Sequence, residues 1–373
     1  MSERLRVVVS GIAFKNPVMP AAGPNVRTGE LMLKAAAGGA GGIVSKTVSL
    51  RPAVDPRPTI RRASNRGLMN CETWSEMPAD TFVDECRQAK SAGLPLIVSI
   101  GYGPEEVSHL GRWFEREVEP AAFEFSTHYT GRSVEPLLEV ARALRSSVSV
   151  PIFMKVSPNF PDLEELGCAA ASLVDGFVAI NSYGPIIDFD VEDGEPVLGS
   201  DGGFGWMSGP PILPVALRAV YQLASVQDKP VIGVGGIEKG VDALKFFMVG
   251  ASAVQVCSAA IKDGHRVYGK IAQEMDDWLA AHGYSSLEAI KGLYRRRLSE
   301  RRAFTKRPVM AIDEIACIGC RACLGRCVQG ALDFDEDKQV ARVKQENCIG
   351  CGFCQDYCPN GAMGLIESRR SDK

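Results

Sequence analysis

The chain has 373 residues, a formal net charge of -3, 46% hydrophobic and 23% charged residues, and 12 cysteines. That near-neutral balance gives no footprint for bulk nucleic-acid binding, and without a run of about 18 uninterrupted apolar residues the chain has no membrane-spanning helix to offer. The length suits one large domain and one small one. The opening MSERLRVVV lacks the shape of a signal peptide, so a cytoplasmic protein is expected.

Over the first 300 residues, short apolar and β-branched runs alternate with helical patterns. The runs are VMPAAG (18–23), GGIVSKT (41–47), PLIVSIG (95–101), AAFEFS (121–126), PIFMKVS (151–157), GFVAINS (176–182), VIGVGG (231–236) and AVQVCS (253–258). Between them SVEPLLEVARALRSSV, DLEELGCAAASLV, LPVALRAVYQL and VDALKFFMVG place apolar residues three and four apart, as one buried helix face requires. Runs apolar throughout suit parallel strands buried on both faces. Eight such βα units predict an α/β fold, a closed (β/α)8 TIM barrel over residues 1–290, with a doubly wound sheet as the competing architecture.

Barrel chemistry sits at the carboxyl ends of the strands. Those ends are polar here: Ala22-Gly23, Lys46-Thr47, Gly101, Ser126-Thr127-His128, Lys155, Asn181-Ser182, Gly235-Gly236 and Cys257-Ser258. The last two resemble a phosphate cradle after strands seven and eight, whereas GVGG lacks the GxGxxG spacing of a dinucleotide site. Lys46 and Lys155 each read in two ways, as cofactor contacts or as halves of buried ion pairs. Taken alone, Asn70 and Asn181 read as turn and cap residues, the commoner fate of asparagine. His109, His265 and His282 fall away from strand ends and read as surface residues.

The glycine-rich LGSDGGFGWMSG (198–209) reads as a structureless loop, of the kind that serves as a lid. YRRRLSERRAFTKRP (294–308) lies in a basic linker over 291–309, either a solvated helix face or a docking patch for an acidic partner. Beyond it, residues 310–373 carry CIGCRACLGRC (317–327) and CIGCGFCQDYCP (348–359), two ladders repeating 31 residues apart. Spacings of two, two and three residues let three thiolates wrap one cube while the fourth reaches the other. Cys317, Cys320, Cys323 and Cys358 would hold one [4Fe-4S] cluster, and Cys348, Cys351, Cys354 and Cys327 the second. Zinc ribbons and disulfides fit this spacing poorly. ALDFDEDKQVARV between the ladders alternates like a hairpin, and the other four cysteines, Cys71, Cys86, Cys168 and Cys257, form no disulfide framework.

Residues 310–366 resemble the two-cluster bacterial ferredoxins, a small α+β fold. The segments FKNPVMPAAGP, SKTVSL, LMNCETWSE, FMKVSPN, INS, SGPPILPVALRAV, VIGVGGI and GASAVQVCSA resemble the flavin barrel of the dihydroorotate dehydrogenase family. Together with the tail, the chain is similar to the iron-sulfur half of dihydropyrimidine dehydrogenase. The resemblance implies FMN held by Ala22, Gly23, Lys46, Thr47, Lys155, Asn181, Gly209, Gly235, Gly236, Cys257 and Ser258, with Lys155 beside the flavin ring. It also implies a substrate held by Asn70, Ser126, Asn181 and Ser182, and a mobile loop over it in the region of 198–209.

One stretch departs from the family. Where pyrimidine members carry Asn-x-Ser-Cys-Pro, this chain reads Glu124-Phe125-Ser126-Thr127-His128-Tyr129. Glu124 would then face a donor-rich group of the substrate or a nearby lysine, since a carboxylate only accepts. Thr127 replaces the acidic cysteine, which leaves His128 and then Tyr129 as candidate proton donors. The expected activity is hydrogen transfer at a C=C bond conjugated to a carbonyl. A dihydropyrimidine is the nearest substrate, and an enone or enoyl ester the runner-up. The clusters would wire the flavin to a ferredoxin or to a partner subunit with its own FAD and NAD(P) sites, in a homo- or hetero-oligomer. The contrasting expectation is a catalytically silent electron-transfer subunit.

Overall fold

The computed structural model describes residues 2–63, 66–126, 131–301, 303–305 and 307–367. The chain divides into two compact units, Met1–Leu298 and Ser299–Lys373. Among the described residues no helix is long and apolar enough to cross a membrane.

All eight expected strands form: β1 (Val18–Pro20), β2 (Ile43–Val44), β3 (Leu96–Ile100), β4 (Ala122–Ser126), β5 (Ile152–Val156), β6 (Gly176–Ala179), β7 (Val231–Val234) and β8 (Ala253–Val256). They lie in one parallel sheet in the order β1-β8-β7-β6-β5-β4-β3-β2. The Gly41 N–H donates to Val18 O at 2.8 Å, which draws the start of β2 beside β1 and nearly closes the barrel. Helices such as Pro104–Val118, Glu135–Arg145 and Leu213–Val226 bury their apolar faces against the outside of the strands. The doubly wound alternative is thereby set aside.

Strand side chains alternate between faces, so every second residue points into the barrel. At the amino end the inward layer is apolar: Met19, Val44, Ile97, Ala122, Phe153, Val178, Ile232 and Ala253. Val9 and Phe14 from the hairpin Val7–Val9 with Ile12–Phe14 join that layer and stopper the barrel from below. One step further along the same inward faces the layer turns polar, with Glu124, Lys155 and Gln255, all buried. The carboxyl end above this layer is where the barrel opens.

Two expectations are corrected here. Residues 198–209 are not structureless: they contain a 3-10 turn, Asp201–Gly203, and a strand, Gly205–Ser208. That strand is clamped between Tyr183–Ile186 and Leu68–Asn70, which also pairs with Ile60–Arg62, in a four-stranded antiparallel sheet. Bonding on both sides of Trp206-Met207 outweighs the glycines. The basic segment 291–309 carries the helix Leu293–Glu300, in line with its reading as a solvated helix face, with Arg295 donating to Ala224 O at 2.6 Å. His265 is half-buried rather than on the surface, whereas His109 and His282 are exposed.

In the second unit, Pro308–Ile312 pairs antiparallel with Met363–Glu367. The expected hairpin forms from Leu332–Asp335 and Val340–Val343. Gly319 and Gly350, at matching places in the two ladders, both take a φ of +68°, a left-handed turn that glycine adopts without strain.

Candidate active site

A cleft of about 1010 Å³ opens at the carboxyl ends of the barrel strands. All eleven positions that the resemblance assigns to FMN line it, as do Asn70, Ser126 and Ser182. Close approach is built in at Gly23, where a Cβ would stand 2.6 Å from Cys257 Sγ. Cys257 Sγ donates to Asn25 Oδ1 at 3.3 Å, and Asn25 in turn donates to the buried Tyr268 hydroxyl at 2.7 Å. Burial, reinforced by the Glu72 carboxylate, pushes the Cys257 thiol up to about 11. It is therefore a neutral thiol at ordinary pH.

The lysines are paired. Lys155 Nζ donates to Glu124 Oε1 at 3.0 Å, and the other oxygen, Oε2, accepts from Gln255 Nε2 at 2.7 Å. Glu124 has no exposed surface and does not line the cleft. The expected substrate contact at Glu124 is thus corrected: its inward position puts it below the cleft floor, spanning from β4 to β5 and β8. Lys46 Nζ donates to Glu72 Oε2 at 2.9 Å and to Thr73 O at 3.3 Å, with side-chain exposures of 7% and 16% for the lysine and glutamate. The ion-pair reading holds at both lysines, although both still face the cleft.

The uncharged polar side chains around the ligand space are amides and hydroxyls. Asn70 Nδ2 donates to Trp206 O at 3.2 Å, Asn181 Nδ2 to Ser126 Oγ at 3.4 Å, and the Ser182 N–H to Asn181 Oδ1 at 2.9 Å. Thr47 and Ser99 share a hydroxyl bond of 2.9 Å. Gln255 lines the cleft, and its buried Oε1 has no hydrogen-bond partner among the described residues. A buried acceptor left so is costly, so a flat ring with N–H donors fits this wall. Thr127, His128 and Tyr129 lie outside the described residues.

Glu72 and Gln255 escaped sequence reasoning. Gln255 had a signal, a lone amide inside the apolar run AVQVCS. Glu72 had none, since its partner stands 26 positions earlier in the chain.

In the second unit the eight ladder cysteines gather as two sets of four, crossed between ladders. Cys317, Cys320, Cys323 and Cys358 ring a cavity of about 380 Å³ with Pro359 beside them. Burial raises the Cys323 thiol, and the neighbouring Cys320, Cys317 and Cys358 raise it further. Burial likewise pushes Cys354 up to about 11, with Cys327, Cys351 and Cys348 adding to the rise. Backbone N–H groups already point at sulfur: Met310 to Cys348 at 3.3 Å, Ala331 to Cys327 at 3.3 Å and Ala362 to Cys358 at 3.2 Å. Such donors favour thiolate, the form that binds metal, so this donor set fits iron-sulfur cubes.

Comparison with known proteins agrees with this division. The family model for dihydroorotate dehydrogenase matches residues 124–279, and that for the 4Fe-4S dicluster domain matches residues 316–362. Similar proteins include the dihydroorotate dehydrogenase B (NAD(+)) catalytic subunits of Pyrococcus abyssi (37% identical over 299 residues), Pyrococcus furiosus (35% over 302) and Methanothermobacter thermautotrophicus (32% over 299). Each match covers 78% of this chain and 98–99% of the relative, so about a fifth of this chain has no counterpart in them. These relatives are named dihydroorotate dehydrogenase, not dihydropyrimidine dehydrogenase. With nearly the full length of such relatives matched and the barrel in place, the chain belongs to the dihydroorotate dehydrogenase family of oxidoreductases, and it carries a 4Fe-4S ferredoxin domain in addition to its barrel.

Proposed function

We propose that the chain is an FMN-dependent oxidoreductase that adds or removes hydrogen across a carbon-carbon bond conjugated to a carbonyl, with a dihydropyrimidine as its nearest substrate class. The observation that carries this is the convergence of all eleven expected flavin positions on one cleft at the carboxyl end of a barrel. FMN bound there supplies hydride exchange with a substrate carbon and single-electron exchange with an iron-sulfur carrier. The chain's own residues supply the rest. Gly23, Gly235, Gly236 and Ser258 would hold the phosphate, and Lys155, held by Glu124, and Gln255 would line the ring. Asn70 and Asn181 orient the substrate with Ser126 and Ser182, and His128, ahead of Thr127 and Tyr129, holds the proton for the second carbon.

The two crossed sets of cysteines support two [4Fe-4S] clusters that carry electrons one at a time. Because the sequence has no dinucleotide fingerprint, the carrier beyond them is a ferredoxin or a separate FAD- and NAD(P)-binding subunit. The words "NAD(+)" and "catalytic subunit" in the relatives' names favour the subunit. Reduced cysteines suit a cytoplasmic setting. Thr127 in place of an acidic cysteine favours a second reading for the substrate, a non-pyrimidine enone or enoyl ester.

The test is anaerobic. Purified protein with its flavin and iron counted is reduced and mixed with uracil, then with simple enones, while flavin absorbance is followed. Return of the oxidised spectrum with either acceptor class supports the reading. Flavin that ignores every small acceptor would instead make the chain an electron-transfer subunit. His128→Gln is expected to abolish turnover and spare flavin reduction by the carrier; unchanged turnover removes His128 from the mechanism.

A further inference from the structure

We infer that the cleft selects against a carboxylate on its ligand: Glu72 neutralises Lys46 at the cleft wall, so this chain takes an uncharged conjugated carbonyl rather than an acid such as dihydroorotate. This rests on the flavin site proposed above and narrows its substrate class.

Dihydroorotate and orotate differ from the simple pyrimidines by a carboxylate on the ring. Taking that charge out of water requires a cation or several converging N–H donors. Among the described residues that line the cleft, the charged side chains are Lys46, Lys155 and Glu72. Lys155 is already matched by Glu124 at 3.0 Å, and Glu124 is locked from the far side by Gln255. Lys46 is matched by Glu72 at 2.9 Å. No lining cation among the described residues is left for an incoming anion, and a flavin phosphate adds negative charge of its own.

The two pairs differ in what they can do. Glu124 lies under the floor, out of a ligand's reach, whereas Glu72 itself faces the cleft. A carboxylate approaching Lys46 must therefore approach Glu72, and like charges brought together disfavour the wrong ligand. What remains on the walls is neutral: the amides of Asn70, Asn181 and Gln255 and the hydroxyls of Ser126 and Ser182. Donors and acceptors of this kind match alternating N–H and C=O groups and offer nothing extra to an acid. Glu72 is thus a specificity-determining residue, and Lys46 is the cation it withholds.

The experiment uses the full chain with its flavin and clusters, and reads binding from perturbation of the oxidised flavin spectrum. Uracil is the neutral probe, orotate its acid counterpart, and acetate a bare carboxylate that tests charge without any ring. In the wild type, orotate is expected to bind about a hundredfold more weakly than uracil, and acetate not at all. Glu72→Gln should tighten orotate about tenfold or more and make acetate visible, while uracil moves little. Adding Lys46→Met to that variant should abolish the gain, and Glu72→Asp should behave as wild type. Orotate binding the wild type as well as uracil does would overturn the inference, even if no variant folds. So would a Glu72→Gln protein with normal flavin content and no gain in anion binding. Silence toward uracil, with acetate seen by Glu72→Gln alone, would reject the pyrimidine substrate and leave the charge selection standing.

Discussion

In the barrel, polar groups are islands in an apolar interior; in the cysteine-rich unit, the ligand residues are themselves the interior. The Glu124–Lys155–Gln255 layer sits on a floor of Met19, Phe153 and their neighbours and is surrounded by strands that pack helices on their outer face. Among the described residues the second unit buries Val309, Met310, Cys323, Ala331, Val340, Ala341, Cys348, Cys354, Ala362 and Met363. Three of those ten are cysteines and three are alanines, so the unit has little hydrophobic core apart from its metal ligands. The expectation from this contrast is that one unit folds and then offers a site, whereas the other needs its site in order to fold.

That contrast can be broken or sharpened by experiment. The largest effect expected is from removing iron: the second unit should lose its amide-exchange protection entirely, while the barrel's melting temperature moves by less than about 2 °C. Survival of exchange protection in the iron-free second unit would end the comparison. Next comes Glu124→Ala, which strands Lys155 in the barrel and should cost about 3–5 kcal/mol in urea unfolding. A cost near zero would mean that the polar layer is no more than filler. Tyr268→Phe removes the acceptor of the Asn25 amide behind Gly23 and should cost about 1–3 kcal/mol by the same measurement. Smallest is Lys338→Ala, which breaks a 2.8 Å pair with Glu314 on the surface of the second unit and should leave melting unchanged within error.

Much of the fold was legible because its signals are local. Each barrel strand is a short run apolar throughout, and each ladder is a fixed spacing, so neither requires knowledge of a distant partner. The region 198–209 misleads because glycines announce turns, while the bonds that hold Gly205–Ser208 come from segments far away in the chain. The same distance hid the Lys46–Glu72 pair. Glu124, Lys155 and Gln255 were closer to being readable. Each is a lone polar residue in an apolar strand on the inward side of a dry barrel, and such residues must find one another. Read singly, Glu124 looked like a substrate contact; read with the other two, it belongs under the floor.

The pairing of Pro308–Ile312 with Met363–Glu367 has a consequence for how such proteins are assembled over time. Because Pro308 stands opposite Glu367, the two outermost strands of the described iron-sulfur unit begin and end at the same edge. A part whose two ends meet can be spliced onto a host at a single seam without rearranging its interior. Relatives that are matched almost whole by four-fifths of this chain look like hosts without the graft. The same seam makes the unit portable: transplanted behind another barrel, it should arrive with both cysteine ladders in register.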